Sequence, residues 1–304
     1  MSFSEDVRAE LAGIAPAREC DRLAELSALF RFAGRMHLLG RGEVGLHLDL
    51  SSPSAARRAF ALLRGFGVRS EIRTYRRQAF GRETRYQLHV EGDAREVLER
   101  AGVVDARFRP RDRPPRKVVS RSCCRSAYVR GALLASGSVS APPSAHLEVR
   151  SETRGGADAV AAAAAAEGGE LRVVDRGDHV VAYAKGIDRI AGVLAAAGAS
   201  EAALALQERA VMGSTRARAN RLANADHANL VRSGRAAHVQ LQAVRRLERS
   251  GRLDALSPQL KEIARLRMRH PSLSLRELGA KSRPSISKSS VQRRLNTLIK
   301  LAKK

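Results

Sequence analysis

The sequence has no tryptophan, three cysteines and few aromatic residues, and its apolar runs are short. No stretch of about eighteen apolar residues occurs, which excludes a transmembrane helix of ordinary length. The first ten residues carry acidic side chains where an export signal has a basic start and an apolar run. Three cysteines are too few for the disulfide framework of a small secreted protein. These absences predict a protein of the reducing cytoplasm that does not associate with membranes.

Metal and cofactor motifs are also scarce. Cys20, Cys123 and Cys124 form neither a CxxC pair nor a cysteine and histidine spacing typical of zinc sites. His146 and Glu148 alternate on a predicted strand, but the sequence places no third ligand beside them. No glycine-rich loop of the kind that cradles phosphates is present. We therefore predict no metal site and no cofactor, and we expect the cysteines to be structural.

Acidic residues are few relative to basic ones. The chain holds 55 Lys and Arg against 31 Asp and Glu, a formal net charge of +24. Residues 206–304 hold 23 of the basic and 6 of the acidic residues, a net +17, which leaves +7 for residues 1–205. Such a charge repels itself unless a polyanion neutralises it. We expect double-stranded DNA as the partner, bound mainly by the last third, and hence a nucleoid-associated location.

Periodicity predicts an α+β region followed by an all-α region. At 304 residues the chain exceeds the size at which one core stops growing, so several domains are expected. Within the first 204 residues the order α, β, α, β, β, α occurs twice. This repetition indicates an internal duplication, and two unrelated α+β units remain the alternative. The predicted helices are 23–33, 54–64, 94–100, 123–136, 157–167 and 187–197, and the predicted strands are 44–50, 68–75, 84–90, 145–150, 171–175 and 179–184.

Helical patterns alone continue after about residue 202. They predict helices at 207–230, 235–250, 258–269, 275–281 and 288–301, with good capping signals around the last three. Residues 107–121, rich in Arg and Pro, are expected not to pack. The predicted domains are a first half at 1–106, a basic linker at 107–121, a second half at 122–204, a helical connector at 205–256 and a helix-turn-helix domain at 257–304.

The helices at 275–281 and 288–301 are predicted to form a helix-turn-helix unit. Pro284 prevents the first helix from continuing, and Ser287 can cap the second. In such a unit the second helix enters the major groove, and cations around it bind phosphate. We predict base contacts from Ser289, Gln292 and Arg293, whose side chains suit base edges. The predicted phosphate contacts are Arg276, Lys281, Arg283, Lys288, Arg294 and Lys300.

The opening helices of the two halves contain related sequences. Residues 26–34 read LSALFRFAG, and residues 129–137 read VRGALLASG. Both resemble the LAGLIDADG motif of homing endonucleases. In that family an acidic residue just before the final glycine of each motif holds a catalytic divalent metal. Here Ala33 and Ser136 occupy those places and offer no anionic oxygen, so the resemblance implies the fold without DNA cleavage.

Longer stretches resemble one family of bacterial DNA-binding regulators. CCRSAYVRGA at 123–132, NRLANADHANL at 220–230, SLRELG at 274–279 and ISKS at 286–289 are similar to the WhiA family. The resemblance implies a duplicated LAGLIDADG homing-endonuclease-like domain of α+β class, followed by an all-α helix-turn-helix domain. It also implies a non-enzymatic transcription regulator linked to cell division, chromosome segregation and, where the lineage sporulates, sporulation.

The first two thirds of the chain also carry basic side chains suited to DNA. Four arginines cluster in and just after the predicted strand 68–75 and are predicted to contact promoter DNA, namely Arg69, Arg73, Arg76 and Arg77. Other transcription regulators or RNA polymerase are further candidate partners, and the sequence does not determine the oligomeric state.

Two alternative functions remain open. One alternative is a metal-dependent DNA endonuclease that uses Glu25 or Asp49 as displaced carboxylates. Another is a promoter-recognition module like a sigma factor, based on the 258–301 pattern.

Overall fold

The computed structural model describes residues 2–40, 43–77, 83–91 and 94–303. It divides into two compact units, Met1–Ser214 and Thr215–Lys304. Among the described residues, every helix is too short or too polar to cross a lipid bilayer.

The first half of the larger unit packs helices on one face of a four-stranded antiparallel sheet. Leu46, Leu48 and Leu50 alternate with polar residues along one strand and are buried, which directs that face toward the helices. The strand order is β1-β2-β4-β3. The elements are α1 (Phe3–Gly13), α2 (Glu19–Ala33), β1 (Gly34–Gly40), β2 (Glu43–Leu50), α3 (Pro53–Gly65), β3 (Ser70–Arg77), β4 (Glu83–Val90) and α4 (Arg95–Arg100).

The second half repeats this arrangement, which confirms the predicted duplication. Its sheet has the order β5-β6-β8-β7, so each strand has a counterpart in the first sheet. Leu147 and Val149 alternate on one strand and are fully buried beneath the helices. The elements are α5 (Ser122–Ser136), β5 (Gly137–Ser140), β6 (His146–Ser151), α6 (Arg154–Ala166), β7 (Arg172–Asp175), β8 (Val180–Lys185) and α7 (Ile187–Ala197).

Helices α2 and α5 pack against each other and join the two halves. Gly131 lies so close to the Glu25 carbonyl and the Ala28 side chain that a Cβ atom would clash with both. Small residues therefore let the two backbones approach closely. Both helices are 15 residues long and are followed directly by a glycine and a strand. Strands β1 and β5 were not predicted, nor was α1, although Phe3, Val7 and Leu11 recur at helical spacing.

The prediction that residues 107–121 do not pack is wrong. Val104 and Pro110 form an antiparallel bridge, and Val118 is buried within a 3-10 turn. The Arg31 guanidinium donates to the Gly102 carbonyl at 2.9 Å and also to the Arg111 carbonyl. A segment rich in proline and arginine forms few hydrogen bonds of its own, but a side chain from α2 supplies the missing donors.

The prediction of two helices at 207–230 and 235–250 is also wrong. A single helix, α8, runs from Ser200 to Arg249 over 50 residues. Gly234 lies in the predicted break, but one glycine disfavours a helix by only about 1 kcal/mol relative to alanine, too little to end it. A 3-10 turn at Arg252–Ala255 follows, then α9 (Pro258–Arg269), α10 (Leu275–Lys281) and α11 (Lys288–Lys303). The last three helices confirm the prediction within two residues at their ends.

Candidate nucleic-acid interface

The last three helices share a small apolar core with the end of α8. Val244 and Leu247 of α8 are buried against it, a contribution that the sequence analysis missed. The amphipathic pattern of α11 places one apolar stripe toward this core and leaves the opposite side to solvent. The buried residues are Ala243, Val244, Leu247, Leu253, Ile263, Ala264, Leu278, Val291, Leu295, Leu298 and Ala302.

The turn between α10 and α11 depends on Gly279. The Ile286 amide donates to the Gly279 carbonyl at 3.0 Å, which folds the turn back onto α10. A Cβ atom at position 279 would clash with the Ile286 carbonyl oxygen. The Arg283 amide donates to Glu262 of α9 at 2.6 Å, so α9 also holds the turn. These bonds fix where α11 begins.

Local capping orients both helices of the motif. Ser274 and Glu277 form a capping box in which the Glu277 amide donates to Ser274 Oγ at 3.3 Å and the Ser274 amide donates to Glu277 Oε2 at 2.8 Å. The hydrogen bonds from Ser274 lower the pKa of the Glu277 carboxyl. The Ser290 amide donates to Ser287 Oγ at 3.2 Å, which caps α11.

The loop before α10 is held by a buried arginine. Arg267 is 2% exposed and donates through Nη1 to the carbonyls of Leu273 at 2.8 Å and Pro271 at 3.2 Å. Burial lowers the pKa of its guanidinium. Arginine remains charged at any physiological pH, so this contact is permanent. Arg267 is thus a positioning residue that sequence reasoning did not distinguish from the surface arginines around it.

One face of α11 is exposed and polar. Ser289, Arg293, Asn296 and Lys300 recur at intervals of four, three and four residues, which places them on one side of the helix. This side lies opposite the buried stripe of Val291, Leu295 and Leu298. We call the four residues the α11 polar face. They combine hydroxyl, guanidinium, amide and ammonium groups, the set that reads base edges and phosphates in a groove.

Two predicted residues lie away from the middle of this face. Gln292 is half-buried at its edge, and its Nε2 donates to Asn296 Oδ1 at 3.1 Å. Arg294 lies on the other flank, where its guanidinium donates to Gln259 of α9 at 3.4 Å. Asn296 was missed, although its spacing of three from Arg293 would have indicated it. The remaining predicted phosphate contacts, Arg276, Lys281, Arg283 and Lys288, are all exposed.

A cavity lies where α2 and α5 end in the larger unit. Ala33 and Ser136, which occupy the places of the two metal-binding acids, both line it, together with Arg35, Arg85 and Arg150. Ser136 donates its hydroxyl to the Arg150 carbonyl at 2.7 Å. We call this the helix-end cavity. Arg35 pairs with Glu152 at 2.5 Å, so an acid in the cavity is already neutralised by an arginine.

Both carboxylates of the endonuclease alternative, Glu25 and Asp49, already accept hydrogen bonds from neighbouring side chains. Glu25 is fully buried and receives hydrogen bonds from Arg58 at 2.6 and 2.9 Å and from Arg130 at 3.0 Å. Its charge therefore stabilises the contact between the halves and does not face the helix-end cavity. Asp49 lines that cavity but accepts from Tyr75 Oη at 3.0 Å and from Arg85 at 3.3 Å.

The arginines predicted to bind DNA on the first sheet do not share one face. Arg73 shares with Glu71 and Tyr75 the face of β3 that points away from the helices, and it pairs with Glu71 at 2.7 Å. Arg76 lies four residues after Ile72 on the same strand, so the two side chains share a face. Because Ile72 packs against the core, Arg76 is on the face opposite Arg73. Arg69 is exposed one residue before β3. The side chain of Arg77 lies outside the described residues.

Three family models match the chain in the order of its domains. The WhiA N-terminal LAGLIDADG-like domain matches residues 19–104, and the WhiA LAGLIDADG-like domain matches residues 125–216. The WhiA C-terminal HTH domain matches residues 219–302, which include α9, α10 and all but the last residue of α11. The matches therefore cover both halves of the duplication and the helix-turn-helix unit.

Relatives that match over nearly their full length belong to the same family. The probable cell division protein WhiA of Symbiobacterium thermophilum is 36% identical over 306 residues, covering 99% of this chain and 98% of its own. Its counterpart in Streptomyces avermitilis is 38% identical over 314 residues, covering 100% and 93%. The crystal structure of full-length DUF199/WhiA from Thermatoga maritima shares the fold, with a TM-score of 0.59, 20% identity and coverage of 100% and 98%. The chain belongs to the WhiA family.

Proposed function

We propose that this protein is a sequence-specific DNA-binding transcription regulator without nuclease activity. The observation that carries the proposal is the α11 polar face. It is presented by a helix-turn-helix unit that has a hydrogen-bonded turn, capped helices and a buried apolar core. The net charge of residues 206–304 supports it, because a polyanion would neutralise that excess.

Within this proposal, α11 lies in the major groove of promoter DNA. Ser289 and Arg293 make base contacts from the middle of the polar face, and Gln292 makes one from its edge. Asn296 joins them as a fourth candidate. Phosphate contacts come from the exposed cations Arg276, Lys281, Arg283, Lys288 and Lys300, while Arg294 is the weakest member of the predicted set because it is directed toward α9.

The proposal extends to the domain boundaries. We propose that residues 257–304 form the reading domain, that 205–256 connect it to the rest, and that 1–106 and 122–204 are the LAGLIDADG-like halves flanking 107–121. The division near Ser214 and the family match starting at residue 219 support a boundary early in α8.

We further propose that the LAGLIDADG-like unit contacts DNA without cutting it. Ala33 and Ser136 supply no metal-binding carboxylate, and Glu25 is fully engaged by two arginines. Arg35, Arg85 and Arg150 supply positive charge at the helix-end cavity, and Arg73 is exposed on β3. Incubating the protein with supercoiled plasmid and Mg²⁺ tests inactivity, because nicking that a chelator abolishes would establish a nuclease.

The biological setting is proposed from the relatives. Because they are named as probable cell division proteins, we propose a role in controlling cell division, with chromosome segregation and sporulation as the family resemblance implies. A stable complex with core RNA polymerase in the absence of DNA would favour the alternative of a sigma-like module. Other regulators remain proposed partners, to be sought by crosslinking in cells.

A genome-wide occupancy map tests the reading helix. We expect the Gln292→Ala/Arg293→Ala variant to lose the sites that the unaltered protein occupies, while an Arg245→Ala variant keeps them. Arg245 is an exposed cation on α8, outside the helix-turn-helix unit, and so controls for net charge. On an operator taken from that map, each single base-contact substitution should weaken binding by about 1 to 3 kcal/mol. Unaltered occupancy by the double variant would contradict the assignment.

A further inference from the structure

Four metal-ligating side chains meet at the end of the α2 and α5 pair opposite Ala33 and Ser136. Cys20 and Asp21 come from the first turn of α2, and Cys123 and Cys124 from the first turn of α5. Their ligand atoms all lie within 4.8 Å of one another, with Asp21 and Cys124 buried. Because the two helices are equivalent in the duplication, each supplies its second and third residues. The cluster thus contains all three cysteines of the sequence and one aspartate.

The spacing of the four atoms fits a tetrahedron around one small ion. The Sγ atoms of Cys123 and Cys124 are 4.0 Å apart, and Asp21 Oδ1 lies 3.4 Å from Cys20 Sγ and 3.6 Å from Cys124 Sγ. Zinc bonds of 2.3 Å to sulfur and 2.1 Å to oxygen give tetrahedral edges of about 3.8 Å between sulfurs and about 3.6 Å between sulfur and oxygen. The three measured separations are within about 0.2 Å of these edges, and the longest separation in the cluster, at most 4.8 Å, would shorten by up to about 1 Å.

The surroundings supply the charge that such a complex requires. Three thiolates and one carboxylate around a divalent ion leave a formal charge of −2. The Arg18 guanidinium lies 3.7 Å from Cys123 Sγ, and that of Arg121 lies 4.0 Å from Cys20 Sγ, so two cations face the sulfurs. N–H groups that donate to ligand atoms orient them and tune the ion. The N-terminal ends of both helices also favour anionic sulfur.

We propose that Cys20, Asp21, Cys123 and Cys124 form a structural zinc site that joins the two LAGLIDADG-like halves. Thiolate ligands select zinc over magnesium or calcium, which prefer oxygen. Four protein ligands close the coordination sphere, so the ion holds helices together and offers no position to a substrate. The helix pair would thus be fixed by metal at its N-terminal end, far from the helix-end cavity. Sequence spacing missed the site because two adjacent-residue pairs from distant parts of the chain build it.

Metal content and cobalt substitution test the site in the full chain. Protein purified with a thiol reductant and without chelator should contain about one zinc ion per chain by mass spectrometry. Metal-free reduced protein titrated with Co²⁺ should develop thiolate-to-cobalt charge-transfer absorption and the intense visible bands of tetrahedral cobalt. These bands should reach a plateau at about one equivalent and disappear when zinc is added.

Variants assign the ligands. Asp21→Asn and Cys123→Ser should each weaken zinc binding about tenfold or more in competition with a chelating dye, because each removes an anionic ligand. Asp6→Asn is the matched control, since Asp6 is an exposed acid on α1, and its zinc affinity should not change. The cobalt titration of the unaltered protein does not depend on any variant folding.

Two results would overturn the proposal. One is reduced, unaltered protein that carries no zinc and shows no cobalt–thiolate absorption. The other is a disulfide between Cys20 and either Cys123 or Cys124 in protein whose reduced form takes up no metal, which would make the cluster a redox pair.

Discussion

At the scale of single residues, two buried positions decide how the helices of each unit meet. Gly279 is the point where the turn of the helix-turn-helix unit contacts α10, and any side chain there would clash with the Ile286 carbonyl. Glu25 lies between Arg58 of α3 and Arg130 of α5, so its carboxylate bridges the two halves. Substitution at either position should therefore affect stability well beyond an average surface change.

Gly279→Ala should destabilise the smaller unit by about 1 to 3 kcal/mol, because the turn must move to admit a methyl group. Gly234→Ala is the matched control. Apart from its own helical backbone, nothing lies within 4 Å of a Cβ built at Gly234 in α8, so alanine there should stabilise the helix by about 0.5 to 1 kcal/mol. Urea unfolding followed by circular dichroism measures both. A loss of stability at both positions would show that the close contact at Gly279 is not the cause.

Glu25→Gln should destabilise the larger unit by about 3 kcal/mol, since it leaves two buried guanidinium groups without a counter-charge. Glu96 provides the comparison because it pairs with Arg100 at 3.5 Å and its side chain is 86% exposed. Glu96→Gln should change the free energy of unfolding by less than about 0.5 kcal/mol. Equal effects of the two substitutions in chemical denaturation would argue against a buried bridge at Glu25.

At the scale of elements, α10 is only seven residues long and depends on its N-terminal cap. So short a helix is unstable alone, because nucleation is costly and few hydrogen bonds repay it. The capping box at Ser274 and Glu277, the buried Leu278 and the contact at Gly279 together hold it in place. Since α10 and α11 share the turn, loss of the cap should also disturb the position of the α11 polar face.

Ser274→Ala should destabilise the smaller unit by about 1 kcal/mol, the usual contribution of an N-cap serine. The lowered pKa of Glu277 adds a pH dependence. A carboxyl with a lower pKa in the folded state stabilises the protein above its unfolded pKa of about 4.3, and this contribution is lost as the pH falls through the folded value. Glu277→Gln should therefore reduce stability near pH 7 and have a smaller effect near pH 3. Urea midpoints that differ equally at both pH values would contradict this.

At the scale of the whole molecule, the two units differ in positive charge and in the side chains that could contact bases. The smaller unit presents the α11 polar face on a strongly basic segment, whereas the larger unit offers arginines that are partly paired with acids. Phosphate contacts contribute equally to every DNA sequence, and base contacts discriminate among sequences. We expect the smaller unit to select the site and the larger unit to add affinity without selectivity.

Binding of operator and scrambled duplexes over a range of salt concentrations tests this division. Arg293→Ala should weaken binding to the operator far more than to the scrambled duplex. Arg73→Ala should weaken both equally and lower the slope of log K against log salt by about 0.9, as expected when one phosphate contact is lost. An Arg73→Ala variant with unchanged affinity and slope would remove the first sheet from the interface.

Features that depend on neighbouring residues could be predicted from the sequence alone. Caps, a proline and apolar spacing fix α9, α10 and α11, and they appear within two residues of the prediction. The duplicated order of helices and strands follows from alternation and periodicity in the same way. The absence of acids at Ala33 and Ser136 can also be read directly. Which of the predicted cations contact DNA is not decided by such local patterns.

Features that depend on residues far apart in the chain are visible in the folded protein and not in the sequence pattern. The fold holds the 107–121 segment through the hydrogen bond from Arg31 of α2 to the Arg111 carbonyl, joins the segments around Gly234 into one helix, and surrounds Glu25 with arginines from α3 and α5. It also separates Arg294 from the polar face and brings three cysteines to one aspartate. These features could not be predicted because packing and pairing energies between distant residues exceed the local preferences of each segment.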